Sequence, residues 1–291
     1  MQQIERGIYY EDSYLGVTVG GLVFSHGTIL IDAPLRAEEA RSWRSALLNQ
    51  RGGANRLLVN LDSHPDRTLG ARAMDCTIIA HQKTAQVFRN RSTIFKGQTN
   101  ESGATWETYN DAIGMRWAIP DITFTQRVSL FWGGPEIIIE SHPGPTSGAV
   151  WVIIPTAHVL FAGDSLVADQ PPFLANAELE TWMEALDLLE NSYSDFAIIS
   201  GRGGPTNIGA VRAQRQFFRN VIKSLDRLAK HNAPTEAAEE LVPGLISEFS
   251  FPAGLEETYS QRLRHGLSQY YARHYRSANN NDQSHLDDGE Q

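Results

Sequence analysis

Three short stretches of the chain gather side chains that can exchange protons, hold charge or bind an ion. The first is Asp62-Ser63-His64-Pro65-Asp66-Arg67, in which carboxylates alternate with a histidine and end on an arginine. The second, Phe161-Ala162-Gly163-Asp164, delivers an aspartate after apolar residues, and the third, Gly201-Arg202-Gly203, sets an arginine between glycines. Histidine titrates near neutrality, so His64 and Asp66 are the candidates for acid–base work. Arginine stays charged and cannot coordinate a metal, so Arg67 and Arg202 are candidates for gripping a carboxylate or phosphate through paired hydrogen bonds.

Each stretch follows a short apolar run. Leu57-Leu58-Val59-Asn60, Val159-Leu160-Phe161-Ala162 and Phe196-Ala197-Ile198-Ile199 read as buried strands, so all three clusters sit at strand ends. Loops held there by a rigid scaffold are where sites are built. Further strands are expected within 8–33, ending in Thr28-Ile29-Leu30-Ile31-Asp32, over Thr77-Ile78-Ile79-Ala80, and within 121–164. Helices are expected over 37–50, 82–91, 178–190, 209–231 and 256–275, with helix-like sequence over 68–74. The polar segment 92–120, which carries Trp106, Tyr109 and Trp117, reads as a surface excursion. Strand clusters in both halves, each followed by helices, predict two packed sheets with helices outside. The acidic stretch 277–291 lacks periodicity and is expected to be a disordered tail beyond a domain spanning 1–276.

The 291 residues carry 25 Lys+Arg against 34 Asp+Glu, a formal charge of −9. Such an acidic chain lacks the basic footprint of a general nucleic-acid binder, and an anionic membrane is equally disfavoured. Its single cysteine, Cys76, excludes an intramolecular disulfide and any cysteine-based zinc site. Met1–Arg6 has no basic region leading into an apolar stretch, and no apolar run reaches the ~18 residues of a membrane span, so a cytoplasmic location is expected.

In content and order, these stretches resemble the metallo-β-lactamase superfamily along nearly the whole chain. Its His-x-His-x-Asp-His strand end corresponds to Asp62-Ser63-His64-Pro65-Asp66-Arg67, and its Pro-Gly-His-Thr-x-Gly loop to Pro143-Gly144-Pro145-Thr146-Ser147-Gly148. Its Phe-x-Gly-Asp element is kept as Phe161-Ala162-Gly163-Asp164, while Gly-His-Gly becomes Gly201-Arg202-Gly203. Ile31-Asp32-Ala33-Pro34 and the helical run Trp182 to Leu189 match as well. The resemblance implies an α+β fold, a four-layer αββα sandwich, and a hydrolase-like site.

It also implies that ligands of a two-zinc centre are missing. Of the family's five histidine positions only His64 remains; the others are Asp62, Arg67, Pro145 and Arg202, while the aspartates persist as Asp66 and Asp164. Two guanidinia beside three carboxylates offer charge compensation without an ion. Three readings follow. The first is a divergent member with no tightly held metal that binds a small anionic or carbonyl ligand. The second is a metallohydrolase with one Mn²⁺, Mg²⁺ or Fe²⁺ on Asp62, His64 and Asp164, acting on an ester, thioester or lactone. The third is a scaffold subunit, with homo-oligomerisation open.

Other suggestive residues have plainer roles. Asp32, at its strand end, is expected to orient the 62–67 loop through backbone hydrogen bonds. His142 reads as a surface or supporting histidine rather than a displaced ligand, His81 as structural, and His26 and His158 as turn residues. Cys76 reads as an inert core thiol, and Gly201–Gly204 as a tight turn. Arg262, Arg264, His265, Arg273, His274 and Arg276 on the last helix read as a solvated or oligomer-contacting face.

Overall fold

The computed structural model describes residues 1–96, 102–108 and 112–276; Tyr109 and the acidic tail over 277–291 fall outside them. The first sheet has seven strands in sequence order: β1 (Gln2–Glu5), β2 (Ile8–Glu11), β3 (Val19–Val23), β4 (Gly27–Ile31), β5 (Asn55–Val59), β6 (Thr77–His81) and β7 (Ile122–Phe124). It is antiparallel from β1 to β4 and parallel from β4 to β7. The second sheet contains β8 (Arg127–Phe131), β9 (Glu136–Ser141), β10 (Val150–Ile154), β11 (Val159–Val167), β12 (Ala197–Arg202) and β13 (Pro205–Thr206), in the order β13-β12-β11-β10-β9-β8. Only β11 and β12 run parallel there.

Side-chain alternation along the strands builds the layers. Ile29, Ile31 and Val59 of the first sheet meet Val150, Val152 and Phe161 of the second in the inter-sheet core. Leu30 and Leu58, one residue out of phase, point the other way onto Trp43 and Leu47 of α1 (Ala37–Leu48). Trp151, Ile153 and Leu160 likewise turn outward, towards helices following in the chain. Strands buried on both faces read as unbroken apolar runs, which is why the sequence shows runs rather than alternation.

After the short α2 (Pro65–Thr68) comes α3 (Gln82–Asn90), packed on β6 and β7. Over the second sheet lie α4 (Leu179–Ser192), α5 (Ile208–Lys230), α6 (Val242–Ile246) and α7 (Glu256–Tyr271). Asn207 caps α5, its Oδ1 accepting from the Gly209 amide at 2.8 Å, and Phe218, Val221 and Leu225 line the helix's buried face. The result is an αββα sandwich. No helix among the described residues is long and apolar enough to cross a membrane.

Three local expectations change. The polar stretch after β5 contains a helical turn, α2, with Pro65 at its first position, where the missing N–H costs nothing. Residues 69–74 form a 3₁₀ turn rather than an α-helix. The segment over 92–120 is more than a surface excursion: Phe95, Trp106 and Trp117 are buried and build a satellite core with Phe88 of α3.

Candidate functional site

The ends of β4, β5, β11 and β12 converge at one edge of the sandwich. The Asp32 amide donates to Val59 O at 2.9 Å, binding the β4 end to β5. Two hydrogen bonds then cross between the sheets, Thr18 N–H to Gly201 O at 2.8 Å and Val150 N–H to Leu61 O at 2.9 Å. Within β11 the pairing with β12 shifts around Gly163, whose φ of 57° suits glycine, and this bulge re-aims Asp164. Gly201 lies so close that a Cβ there would stand 2.4 Å from Asp164 Oδ1, leaving no room for a larger residue.

These strand ends deliver four aspartates and two arginines, all buried. Arg67 is fully enclosed, with Nη1 donating to Asp32 Oδ2 at 2.7 Å, Nη2 donating to Asp164 Oδ1, and Nε 3.3 Å from Asp62 Oδ1. Arg202 takes the opposite side of Asp164, with Nη2 on Oδ2 at 2.9 Å and Nε on Oδ1 at 3.1 Å, and Nη2 also pairs with Asp66. Both oxygens of Asp164 are thereby engaged by guanidinium groups. Asp32, left-handed at φ 56°, accepts the Leu61 amide on Oδ1 at 2.9 Å, so it fastens both the backbone and Arg67.

His64 forms a dyad with Asp62. The Asp62 carboxylate lies 2.9 Å from Nδ1 and also accepts the His64 amide at 2.8 Å, while Asp164 Oδ2 stands 3.4 Å from the same Nδ1. One donor atom each from Asp62, His64 and Asp164 falls within a 4.8 Å cluster, the candidate metal set expected from sequence. His64 also lines a cavity of about 200 Å³, shared with Asp66, Arg91, Trp106, Phe173 and Arg262. Neither Arg67 nor Arg202, the expected ligand-gripping residues, is on its walls.

The electrostatics follow from burial opposed by pairing. Burial pushes the Asp62 carboxyl up, but Arg67 and His64 outweigh it and hold it below the usual carboxylate range. Asp164 behaves likewise, with Arg202 and Arg67 prevailing over burial. Burial would lower the His64 imidazole, yet Asp62 and Asp164 raise it. For Asp32 burial wins: despite Arg67, its carboxyl is pushed up to about 7.

Histidines outside the cluster keep structural positions. His142 stacks on Trp151 with ring centroids 3.7 Å apart, and burial drives its imidazole down to about 4. His81 meets Thr125 O at 2.7 Å through Nε2 and accepts the Lys83 amide at Nδ1. His158 turns the β10–β11 connection at φ 51°, and burial raises the Cys76 thiol to about 11.

The last helix departs from its expected solvated face. Arg262 is 1% exposed, with Nε on Gly103 O at 3.2 Å and Nη1 on Pro171 O and Gln170 Oε1, both at 3.0 Å. Its register held the signal: Tyr259, Leu263, Gly266 and Tyr270 are also buried, so Arg262 falls within the helix's inward stripe. Phe173, which the sequence did not single out, lies between two guanidinia, 4.6 Å from Arg202 and 4.1 Å from Arg262.

A four-layer sandwich with charged groups at converging strand ends defines a metallo-β-lactamase-type scaffold. Residues 64–201 match the profile of the metallo-beta-lactamase superfamily. The structure resembles a metallo-beta-lactamase family protein from Thermus thermophilus at 15% identity and TM-score 0.67, covering 95% of each chain. It also resembles a stereoselective inverting sec-alkylsulfatase from a Pseudomonas species at 16% identity and TM-score 0.64, over 94% of this chain and 49% of that one. A metallo-beta-lactamase from Pontibacter korlensis aligns at 18% identity and TM-score 0.56, over 75% of this chain and 98% of that one. At these identities the likeness speaks for fold alone. No curated protein matches the chain.

Proposed function

We propose that this protein is a divergent member of its hydrolase superfamily in which a buried aspartate–arginine network replaces the two-ion centre, and that it binds a small anion in the cavity beside His64. One observation carries the reading: Asp164, the residue that would bridge two ions, has both oxygens engaged by Arg67 and Arg202. The residues present do not fit a pair of zinc ions. Pro145 offers no donor side chain, and a fixed positive charge at positions 67 and 202 repels a dication. Arg67 and Arg202 serve as internal counterions, since clustered buried carboxylates without a cation would be costly. The cavity is left to hold the ligand, with His64, whose Nδ1 is held by Asp62, on its wall as a proton donor or acceptor. Because one fold neighbour is a sulfatase, sulfate esters belong among the anions to probe.

Elemental analysis of purified protein, with unfolding followed against Zn²⁺ and Mn²⁺, tests the network. Less than half an equivalent of metal and no shift in Tm with either ion agrees with it; two stoichiometric ions refute it.

The clustering of Asp62, His64 and Asp164 within 4.8 Å favours one further reading, a single-ion site. Two carboxylates and one imidazole suit Mn²⁺, Mg²⁺ or Fe²⁺, and a bound ion would supply an activated water for an ester-like bond. One equivalent of metal, with loss of uptake in Asp62→Asn, would support that reading over the metal-free one.

A further inference from the structure

Two arginines on the cavity wall lie outside the aspartate network. Arg262 is 1% exposed, and Arg91 is partly buried with its guanidinium 4.7 Å from the Trp117 ring. Among the described residues neither has a carboxylate partner. Arg262 satisfies Nε and Nη1 on two carbonyls and the Gln170 side chain, while Nη2 has no hydrogen-bond partner there. Arg91 donates Nη1 to Ser63 O at 2.9 Å. Neutral acceptors satisfy donors but do not cancel charge, and an enclosed unpaired cation is costly. Asp66, on the same wall, is already committed to Arg202. Burial depresses both groups, with Arg202 adding repulsion at Arg262, which falls to about 9, while Arg91 falls to about 10. Among the described residues no carboxylate supplies the missing counter-charge, and a bound anion would.

The remaining walls define what carries it. Trp106, Phe173, Leu174 and Ala104 give the cavity an apolar side, set against Ser102, Asn176 and His265, and its volume is about 200 Å³. An apolar cavity of roughly 150 Å³ accepts benzene. A bare inorganic ion would leave those walls unmatched, whereas a long chain would not fit.

We propose that this cavity binds a compact organic monoanion, with its carboxylate or sulfate-ester head clamped by Arg91 and Arg262 and its apolar body against Trp106, Phe173 and Leu174. The inference rests on the anion-binding reading above, to which it adds the residues and the shape of the ligand. The clamp joins three distant parts of the chain, since Arg91 follows α3, Trp106 comes from the segment after it, and Arg262 lies on α7.

Calorimetric titration of the full chain with benzoate and phenyl sulfate tests it, with benzamide as neutral isostere and sodium sulfate as head group alone. The expected result is binding of at least one organic anion at least tenfold tighter than benzamide and tighter than sulfate. Arg91→Met should weaken it at least tenfold, and Trp106→Ala should weaken the organic anion but not sulfate. Arg262→Gln should act like Arg91→Met; should that variant not fold, Arg91→Met and Trp106→Ala decide the matter, since Arg91 is only partly buried. Equal binding of benzoate, phenyl sulfate and benzamide overturns the proposal, as does an organic anion unaffected by Arg91→Met. Anion binding that ignores Arg91 would sink the clamp and leave the broader reading standing, whereas that reading falls on the metal analysis.

Discussion

Arg67 shows most plainly how much a single side chain can hold together. Its guanidinium touches Asp32, Asp62 and Asp164 at once, which a planar fork with five donors can do and a lysine cannot. Replacing it with methionine leaves the volume roughly filled but strands three carboxylates in a dry interior. Removing one partner of a buried ion pair costs about 3–5 kcal/mol, and Arg67→Met is expected to lose that much in urea unfolding at neutral pH. Arg67→Lys should recover only part, because the ammonium restores charge without reaching all three acceptors. A loss below about 1 kcal/mol for Arg67→Met would mean that the network is neither dry nor tightly paired.

At the scale of elements, His142 reports on how β9 and β10 pack beneath α4. Its ring lies flat on Trp151 at the end of β9, and burial holds its pKa near 4 against an ordinary 6.5; Glu140, 4.0 Å from Nε2, does not overcome that burial. The unfolded chain therefore binds a proton that the folded chain refuses. The resulting stability is complete above about pH 6.5 and lost as pH falls towards 4, amounting to about 2–3 kcal/mol between pH 7 and 4.5. His142→Phe keeps the stack and removes the proton site, so its stability should fall less than the wild type's across that interval. Identical acid sensitivity in both proteins would place the effect elsewhere. The strands were legible because buried runs such as Val150–Ile154 and Leu57–Val59 leave their mark in residue type. The convergence of Asp32, Asp62 and Asp164 was legible only through motif order, since local patterning says nothing of which strand ends meet. Arg262 was misread because charge was counted without the helical register that turns it inward, and Phe173 lies in an irregular connection with no period to betray it.

For the molecule as a whole, the two sheets meet at the site through charges that cross between them. Arg67, after β5 of the first sheet, holds Asp164 of the second, and Arg202 of the second holds Asp66 of the first. On the reading proposed above, the two arginines make the connection that shared metal ligands would otherwise make. That equivalence can be tested by reversal. Restoring the family's side chains through Asp62→His, Arg67→His, Pro145→His and Arg202→His removes both internal cations and returns four nitrogen donors beside His64, Asp66 and Asp164. Without metal the variant should be markedly less stable than the wild type, because its carboxylates have lost their counterions. With zinc it should take up close to two equivalents and regain stability, since binding to the folded state alone adds stability by mass action. Metal content with denaturant unfolding in the presence and absence of a chelator would read both effects. A variant that folds well but takes up no zinc would show that the loop over 143–148 no longer stands where a ligand is needed, and that the arginines fill a site the backbone had already abandoned.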